Sequence, residues 1–573
     1  MASKRLQACL GRFTLDGRRW VGVILALGFA LRIVAWARNR SLWADEAFLA
    51  LNLLHRDWHG LLAPLDLNQG APIGFLYAMK TALFLFGNHE CALRLVPLLT
   101  GLAALPMFYL VCRRLFAPCE RLLALLLFAT LGSLIYYSAE AKQYSSDVLF
   151  TLIFLWLALR LEHAGWNRNR AWGFAAAGAL GLWFSHPLIF ILTAILLVQF
   201  GDALQRENWP ECRLLLLPGL LWLASFGLFY VVSLSHLNGN PRLLGFWEGN
   251  DAFPPHNLKA PAWLIGALLR KVFTGTLWIG GFYLAACALW LMGHFRLLGR
   301  DRKTWFLLVT PILVTLIASA LRRYPFSERL LLFLVPIYIL LLVKGVELMR
   351  NGPRPFMRPL LFVLIFFLAL GWRHSLVSHT FRLKNPVRPM IAQLAGRAQA
   401  RDFILVLIAR PLFDYYAERM AWPQAPDFQS GRSDRFFRCR TSPSNDQPRG
   451  AKHSGKEELK LQEFAASFNA RTDPLRQPAM RLWLIGGSHQ PSELQLGKQL
   501  IKLFDATGQR IVDLRQGNAR LVLYNLDVQK TRQALSRFQN PQPGRGGRRS
   551  VGASRSSPGV NAAPPLMRLV ASP

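Results

Sequence analysis

Val21-Gly22-Val23-Ile24-Leu25-Ala26-Leu27-Gly28-Phe29-Ala30-Leu31-Arg32-Ile33-Val34-Ala35-Trp36 is an apolar run, and Leu42-Trp43-Ala44-Asp45-Glu46-Ala47 follows it after a short polar break. Hydrocarbon offers no partner to backbone N–H and C=O groups, so a chain crosses a bilayer as a helix of about 20 mostly apolar residues. Lys4, Arg5, Arg12, Arg18 and Arg19 precede the run, as in a signal peptide. No small-residue cleavage site closes it and more apolar runs come after, so it reads as an uncleaved first membrane helix.

Further runs lie near 91–112, 121–137, 147–161, 171–185, 188–200, 214–234, 272–292, 305–321, 329–347 and 358–372, which makes eleven expected spans. Ile73–Phe86 is apolar too and reads as a helix lying at the membrane surface. The basic residues test this count. With residues 1–20 inside, the inside connections hold Arg113, Arg114 and Arg121; Arg160, Arg168 and Arg170; Arg206 and Arg213; Arg296, Arg300, Arg302 and Lys303; and Lys344, Arg350, Arg354 and Arg358. Outside connections are poorer in Lys and Arg, as cytoplasmic retention of positive charge requires. Counting Ile73–Phe86 as a span would invert every later loop and reverse that asymmetry.

The 573 residues are 53% hydrophobic and 17% charged, with a net charge of +35. In a soluble protein such a charge would point to nucleic acid. Here the basic residues cluster between spans, and no zinc-finger or RNA-binding signature is present, so no nucleic-acid partner is expected. Of the seven cysteines, only Cys91 and Cys439 would face outside, and none forms a CxxC pair. That argues against a metal cluster.

The organisation expected is a cytoplasmic N-terminus at 1–20, a membrane domain at 21–372 and an extracytoplasmic α/β domain at 385–530. Within the last, Phe403–Ala409, Leu482–Ile485, Ile511–Leu514 and Leu521–Tyr524 read as strands. Pro386–Ala398, Glu457–Ala470 and Ser492–Ala506 read as helices. Residues 431–456 read as a long polar loop, and 538–573 as a basic tail too poor in apolar residues to fold.

Candidate chemistry gathers in the outside connections 38–90 and 138–147. Asp45 and Glu46 open a helical pattern just after the first span, and helix capping and catalysis both suit such a pair. Ser138–Asp147 places Glu140, Lys142, Tyr144 and Asp147 within two helical turns. An ordinary wet loop is the plain alternative. Arg94 stands at a span edge, where it can snorkel to the interface. His186, before Pro187, sits at a break between two spans, and a lone His is more often structural than a ligand. Arg322, Arg323 and Arg329 run against the charge asymmetry, which suits an anionic partner, either a lipid headgroup or a substrate phosphate. Carboxylates and cations converging on one membrane face suit transfer from a lipid-linked phosphate: the phosphate leaves as an anion and a carboxylate takes the acceptor's proton.

The motif Leu42–Ala47 after a first span resembles the acidic first loop of GT-C membrane glycosyltransferases, of the protein-mannosyltransferase and aminoarabinose-transferase type (glycosyltransferase family 39 and the bacterial Rgt-like group). The likeness continues through Gly87–Arg94, Tyr136–Tyr144, Ser185-His186-Pro187 and Arg323–Pro336, and covers about 20–350 in order. The resemblance implies an enzyme of the plasma (inner) membrane that moves a sugar, with inversion, from a polyprenyl-phosphate donor to an acceptor hydroxyl on a glycan, lipid or protein. It implies catalytic roles for Asp45 and Glu46, and lipid-phosphate or donor contacts for Lys142, Arg323, Arg329 and Tyr144. Glu140, His186, Arg94 and Asp147 would support them. Asp45, Glu46, Glu140 and His186 are compatible with a divalent cation, although no tight ligand spacing demands one. Gln69-Gly70-Ala71-Pro72 stands where many relatives have His-Pro-Pro, which leaves sugar and acceptor unassigned. Two other readings stay open: a lipid-carrier flippase, which would want mid-membrane charges and repeated halves, and an inactive envelope scaffold.

Overall fold

The computed structural model describes residues 17–539 except 256, 353, 379–385, 400, 409, 421, 423–435, 439–452 and 488–490. Among the described residues, nine helices are long and apolar enough to cross a membrane: Gly17–Ala37, Leu95–Leu115, Tyr144–Glu162, Leu188–Gln205, Trp209–Leu234, Gly280–Arg300, Arg302–Ala320, Glu328–Asn351 and Met357–Ser378. The chain is a polytopic helical membrane protein with a small C-terminal sheet. Two more expected runs fold as shorter helices, Pro118–Thr130 and Arg168–Gly181. The first breaks at Leu131, whose extended backbone lets a new helix, Gly132–Tyr137, start in another direction. The second stops ahead of Ser185-His186-Pro187, where proline disfavours helical geometry for the residue before it.

Glu328–Asn351 is the most buried of the nine. Leu331 through Val343 are buried without a polar face, and a helix apolar all round belongs at the centre of a bundle. Its tightest neighbour is Tyr283–Arg300. A Cβ built on Gly293 would lie 1.9 Å from the Leu341 carbonyl oxygen, and one on Gly345 would lie 1.8 Å from that of Leu289. The two glycines therefore let the backbones touch, the contact that holds helices together where lipid removes the hydrophobic drive.

The C-terminal sheet has five strands, β1 Phe403–Val406, β2 Phe436–Arg438, β3 Ala479–Gly486, β4 Gly508–Gln516 and β5 Ala519–Asp527. Their order is β2-β1-β3-β5-β4. β1 pairs parallel with β2 and β3, and β5 pairs antiparallel with β3 and β4. Alternation sorts the side chains by face. Phe403, Leu405, Leu482, Leu484, Val522 and Tyr524 pack on helices His453–Arg471, Pro491–Thr507 and Val528–Gln539. Ile404, Val406, Trp483, Ile485, Leu521 and Leu523 face the other way. They share a core with helices Val387–Arg397 and Arg410–Arg419 and with Leu42, Ala47, Leu51, Phe75 and Leu93 of the 38–94 connection. The sheet thus seats directly on the segment that carries Asp45 and Glu46.

Several expectations change. Residues 431–456 contain β2 and the start of helix His453–Arg471 rather than loop alone, and 439–452 lie outside the described residues, Cys439 with them. Helix Val528–Gln539 runs past the expected start of the tail, of which 540–573 lie outside the described residues. Helix Arg410–Arg419 also went unanticipated, because it is short and polar on one side. Residues 138–147 are not a wet loop: every residue from Gly132 to Val148 is buried. Tyr144 and Asp147 belong to the first turn of helix Tyr144–Ala164, and Glu140 and Lys142 to the turn before it.

Candidate active site

Helix Ala44–His55 starts at the N-cap residue Trp43. Glu46 does the capping: its Oε2 accepts the Trp43 N–H at 3.2 Å. That leaves Asp45, one residue earlier, to point elsewhere.

Glu46 is fully buried, and its oxygens are taken. Oε1 accepts from Arg94 Nε and from the Ala141 N–H, both at 2.8 Å. Oε2 accepts from Arg94 Nη2 at 2.8 Å as well as from Trp43. Burial alone would raise its pKa. The Arg94 charge and hydrogen bonds, helped by Arg40 and the Ala141 N–H, outweigh that and hold it below the usual carboxylate range. Arg94, 1% exposed, does not snorkel. Its remaining donors reach the Arg40 carbonyl at 2.6 Å and the Ser41 carbonyl at 3.3 Å. Burial would lower its pKa, and the Glu46 charge raises it instead. The pair ties together the chain before the helix, the helix itself and the turn at 141.

Asp45 is the accessible carboxylate of the two. Its Oδ2 accepts from Arg329 Nη2 at 2.5 Å, and the two side chains are 24% and 19% exposed. The Arg329 guanidinium also lies 5.0 Å above the Trp43 ring, a cation–π contact. Arg329 follows Glu328, whose φ is +35°, a left-handed position that side chains other than glycine rarely take. The Thr276 hydroxyl bonds the Glu328 carbonyl at 2.9 Å and helps hold that turn.

Lys142 donates to Gln69 Oε1 at 2.6 Å. Burial lowers its pKa, against the opposing pull of Asp45 and with the push of Arg329. Glu140 is fully buried, and Arg40 Nη2 stands 3.6 Å from its Oε2, an ion pair without a hydrogen bond. Among the described residues neither Glu140 oxygen has a hydrogen-bond partner. Arg40 also covers the Tyr136 ring at 3.9 Å. Tyr144 stacks edge-on against Tyr137 at 5.2 Å, and Trp278 packs on Tyr136 and Tyr137. Asp147 accepts from the Ser185 hydroxyl at 2.7 Å.

Two expected residues stand apart. Arg323 donates to Asn238 Oδ1 at 2.7 Å rather than to the Asp45 group. His186 packs on Phe229, its Nε2 buried and, among the described residues, with no hydrogen-bond partner, and burial pushes its pKa down to about 3. A neutral imidazole in an aromatic setting is a packing residue. Among the described residues no group of three His, Cys, Asp or Glu side chains converges to hold a metal ion.

Residues 70–230 match the family model of dolichyl-phosphate-mannose-protein mannosyltransferases. The resemblance read from the sequence is borne out over that segment. It holds Arg94, Glu140, Lys142, Tyr144, Asp147 and His186, while Asp45, Glu46, Arg323 and Arg329 lie outside it. None of the curated proteins compared with the chain matches it. Solved structures do. ArnT from Cupriavidus metallidurans bound to undecaprenyl phosphate is 12% identical, with 91% of this chain and 99% of that chain covered and a TM-score of 0.48. The archaeal oligosaccharyltransferase AglB from Archaeoglobus fulgidus, in complex with an inhibitory peptide and a dolichol-phosphate, is 10% identical, with 91% and 78% covered and a TM-score of 0.46.

Arg40, Trp43, Gln69 and Ser185 join the site as contributors that the sequence pattern does not single out. Arg40 and Trp43 flank the acidic motif, so proximity was a usable signal for them. Nothing local marks Gln69 or Ser185, whose partners lie 73 and 38 residues away.

Proposed function

We propose that this protein is a membrane glycosyltransferase that moves a sugar from a polyprenyl-phosphate donor to an acceptor hydroxyl on the extracytoplasmic face, with inversion at the anomeric carbon. The observation that carries the reading is the accessible Asp45 carboxylate paired with Arg329 beside the buried ammonium of Lys142, in a chain whose residues 70–230 match the mannosyltransferase family model.

A donor phosphate competes with Asp45 for Arg329. Once the guanidinium turns to the phosphate, Asp45 is free to accept the acceptor's proton. The acceptor oxygen then attacks the anomeric carbon, the bond from that carbon to the phosphate oxygen breaks, and the bonding pair leaves with the phosphate. Arg329 and Lys142 stabilise the growing negative charge, and they do so strongly because burial keeps water from screening them. Tyr144, against Tyr137, lines the same group. Glu46 acts through its neighbour: with its oxygens engaged, it fixes the helix start that aims Asp45. Such a protein lies in the plasma membrane with its N-terminus cytoplasmic and its C-terminal sheet outside; the acceptor is a glycan, lipid or protein.

The test is transfer in lipid nanodiscs with a set of polyprenyl-phosphate sugars, comparing wild type with Asp45→Asn. The expected result is product from the wild type and loss of about a hundredfold or more in the variant, within the range general-base groups supply. Equal turnover removes Asp45 as base, and no product from any donor removes the reading.

A further inference from the structure

Residues 39–42, just before the N-cap of helix Ala44–His55, form neither helix nor strand. Their backbone groups need partners, and side chains from two directions supply them. Arg94 takes the carbonyls of Arg40 and Ser41 from within the membrane part. The C-terminal α/β unit adds bonds of its own to this segment. The Tyr416 hydroxyl accepts the Leu42 N–H at 2.7 Å, Arg388 Nη2 donates to the Asn39 carbonyl at 3.0 Å, and the Arg388 N–H donates to Ser41 Oγ at 3.3 Å.

One buried carboxylate gathers the two C-terminal helices that reach this segment. Glu90 Oε1 accepts the Tyr416 hydroxyl at 3.0 Å and Arg388 Nη1 at 2.9 Å, while Oε2 pairs with Arg419. Tyr415 adds a bond to Asn88 Oδ1 at 3.1 Å. Tyr416 is fully buried, so water cannot replace its two bonds. Its hydroxyl accepts from Leu42, three residues before Asp45, and donates to Glu90, a single atom bridging the C-terminal unit, the turn at Glu90 and the entry to the acidic helix.

We infer that Tyr416, with Arg388, is a positioning residue for Asp45, so that the C-terminal unit completes the active site by fixing the helix entry rather than by touching substrate. The inference rests on the glycosyltransferase reading for its effect on turnover, but not for the contact itself. A displacement of about 1 Å at a reacting group costs up to roughly a hundredfold in rate, and the Leu42 amide is the point at which such a displacement would begin.

The experiment uses the full chain in nanodiscs, with Tyr416→Phe and, as a variant at a partly exposed site, Arg388→Ala. Two readouts are taken: amide hydrogen exchange over residues 39–48, and kcat and KM for the lipid-linked donor. The expected result is exchange at 39–48 faster by roughly tenfold or more, with protection elsewhere in the bundle retained, and kcat down by a similar factor with donor KM unchanged. Wild-type exchange rates at 39–48 in both variants overturn the inference, as does faster exchange with kcat untouched. If the wild type transfers no sugar, the functional reading falls and the positioning of Asp45 for turnover falls with it, while exchange still decides whether Tyr416 holds Leu42.

Discussion

Replacing Arg94 with Met strands a buried carboxylate. Glu46 and Arg94 are 0% and 1% exposed and joined by two hydrogen bonds of 2.8 Å, so water cannot reach the site to solvate the charge left behind. Breaking a pair of this kind from one side costs about 3–5 kcal/mol. The carbonyls of Arg40 and Ser41 lose their donors as well, each worth about 1 kcal/mol. Glu46→Gln alone strands the cation instead and carries a comparable penalty. Glu46→Gln with Arg94→Met removes both charges, keeps an acceptor for one of the Trp43 and Ala141 amides, and recovers much of the loss. The expected coupling energy from the four proteins is about 3 kcal/mol. Unfolding titrations in mixed micelles, followed by intrinsic tryptophan fluorescence, measure it. A coupling below about 1 kcal/mol, the range of solvent-exposed pairs, refutes the claim that this pair locks the acidic helix in place. The pH dependence gives a second check. Because the folded pKa of Glu46 lies below its unfolded value, its contribution is fully present above about pH 4.3 and is lost as pH falls through the folded value. That acid loss disappears in Glu46→Gln.

Other expectations follow from the same geometry. Lys142→Met keeps the buried stem but removes the ammonium, so it raises donor KM and lowers kcat, whereas Arg323→Ala, at a side chain that bonds Asn238 rather than the Asp45 group, leaves both within about threefold; steady-state kinetics with a lipid-linked donor separates them. His186 binds a proton more readily unfolded than folded, so stability weakens as pH falls below about 6.5 toward 3; His186→Phe flattens that slope in thermal unfolding. Gly345→Ala drives a methyl into the Leu289 carbonyl and costs about 1–3 kcal/mol or more, visible as a lower detergent-denaturation midpoint. An unchanged midpoint would mean the two helices separate more easily than their backbone contact implies.

The membrane part was legible because its signal is compositional. Apolar runs such as Val21–Trp36 and 358–372 are forced into helices by the absence of water, whatever their neighbours do. Strands β1, β3 and β5 were legible for a related reason, being short apolar runs bounded by turns. What stayed hidden depends on contacts distant in sequence. Residues 138–147 are as polar as any wet loop, and the packing of distant residues around them, Glu46, Gln69, Ser185 and Trp278 among others, makes them an interior. Arg94 at the end of a run looks like a residue reaching for the interface, and its burial is decided by a carboxylate 48 residues earlier. Arg323 and Arg329 are indistinguishable by local charge. The left-handed turn at Glu328 separates them, sending one to Asn238 and the other to Asp45.

That separation bears on how adjacent acidic residues divide their labour. Asp45 and Glu46 differ by one methylene and one position, and either could cap a helix or accept a proton. On a helix they point about 100° apart. At this helix start the longer side chain folds back to the Trp43 amide and meets Arg94 and Ala141, which exhausts its acceptors. The shorter one is left at the rim, where its cationic partner Arg329 is itself part-exposed and open to competition from an incoming anion. A buried, saturated carboxylate gives rigidity and little chemistry; an accessible one with an exchangeable partner gives chemistry only if something else holds it still. Swapping the two, Asp45→Glu with Glu46→Asp, tests this directly. The shortened residue 46 falls short of Arg94 by about one methylene, so stability drops even though net charge and composition are unchanged, and the lengthened residue 45 overreaches Arg329. If the swapped protein matches the wild type in unfolding and in turnover, the division of roles does not exist.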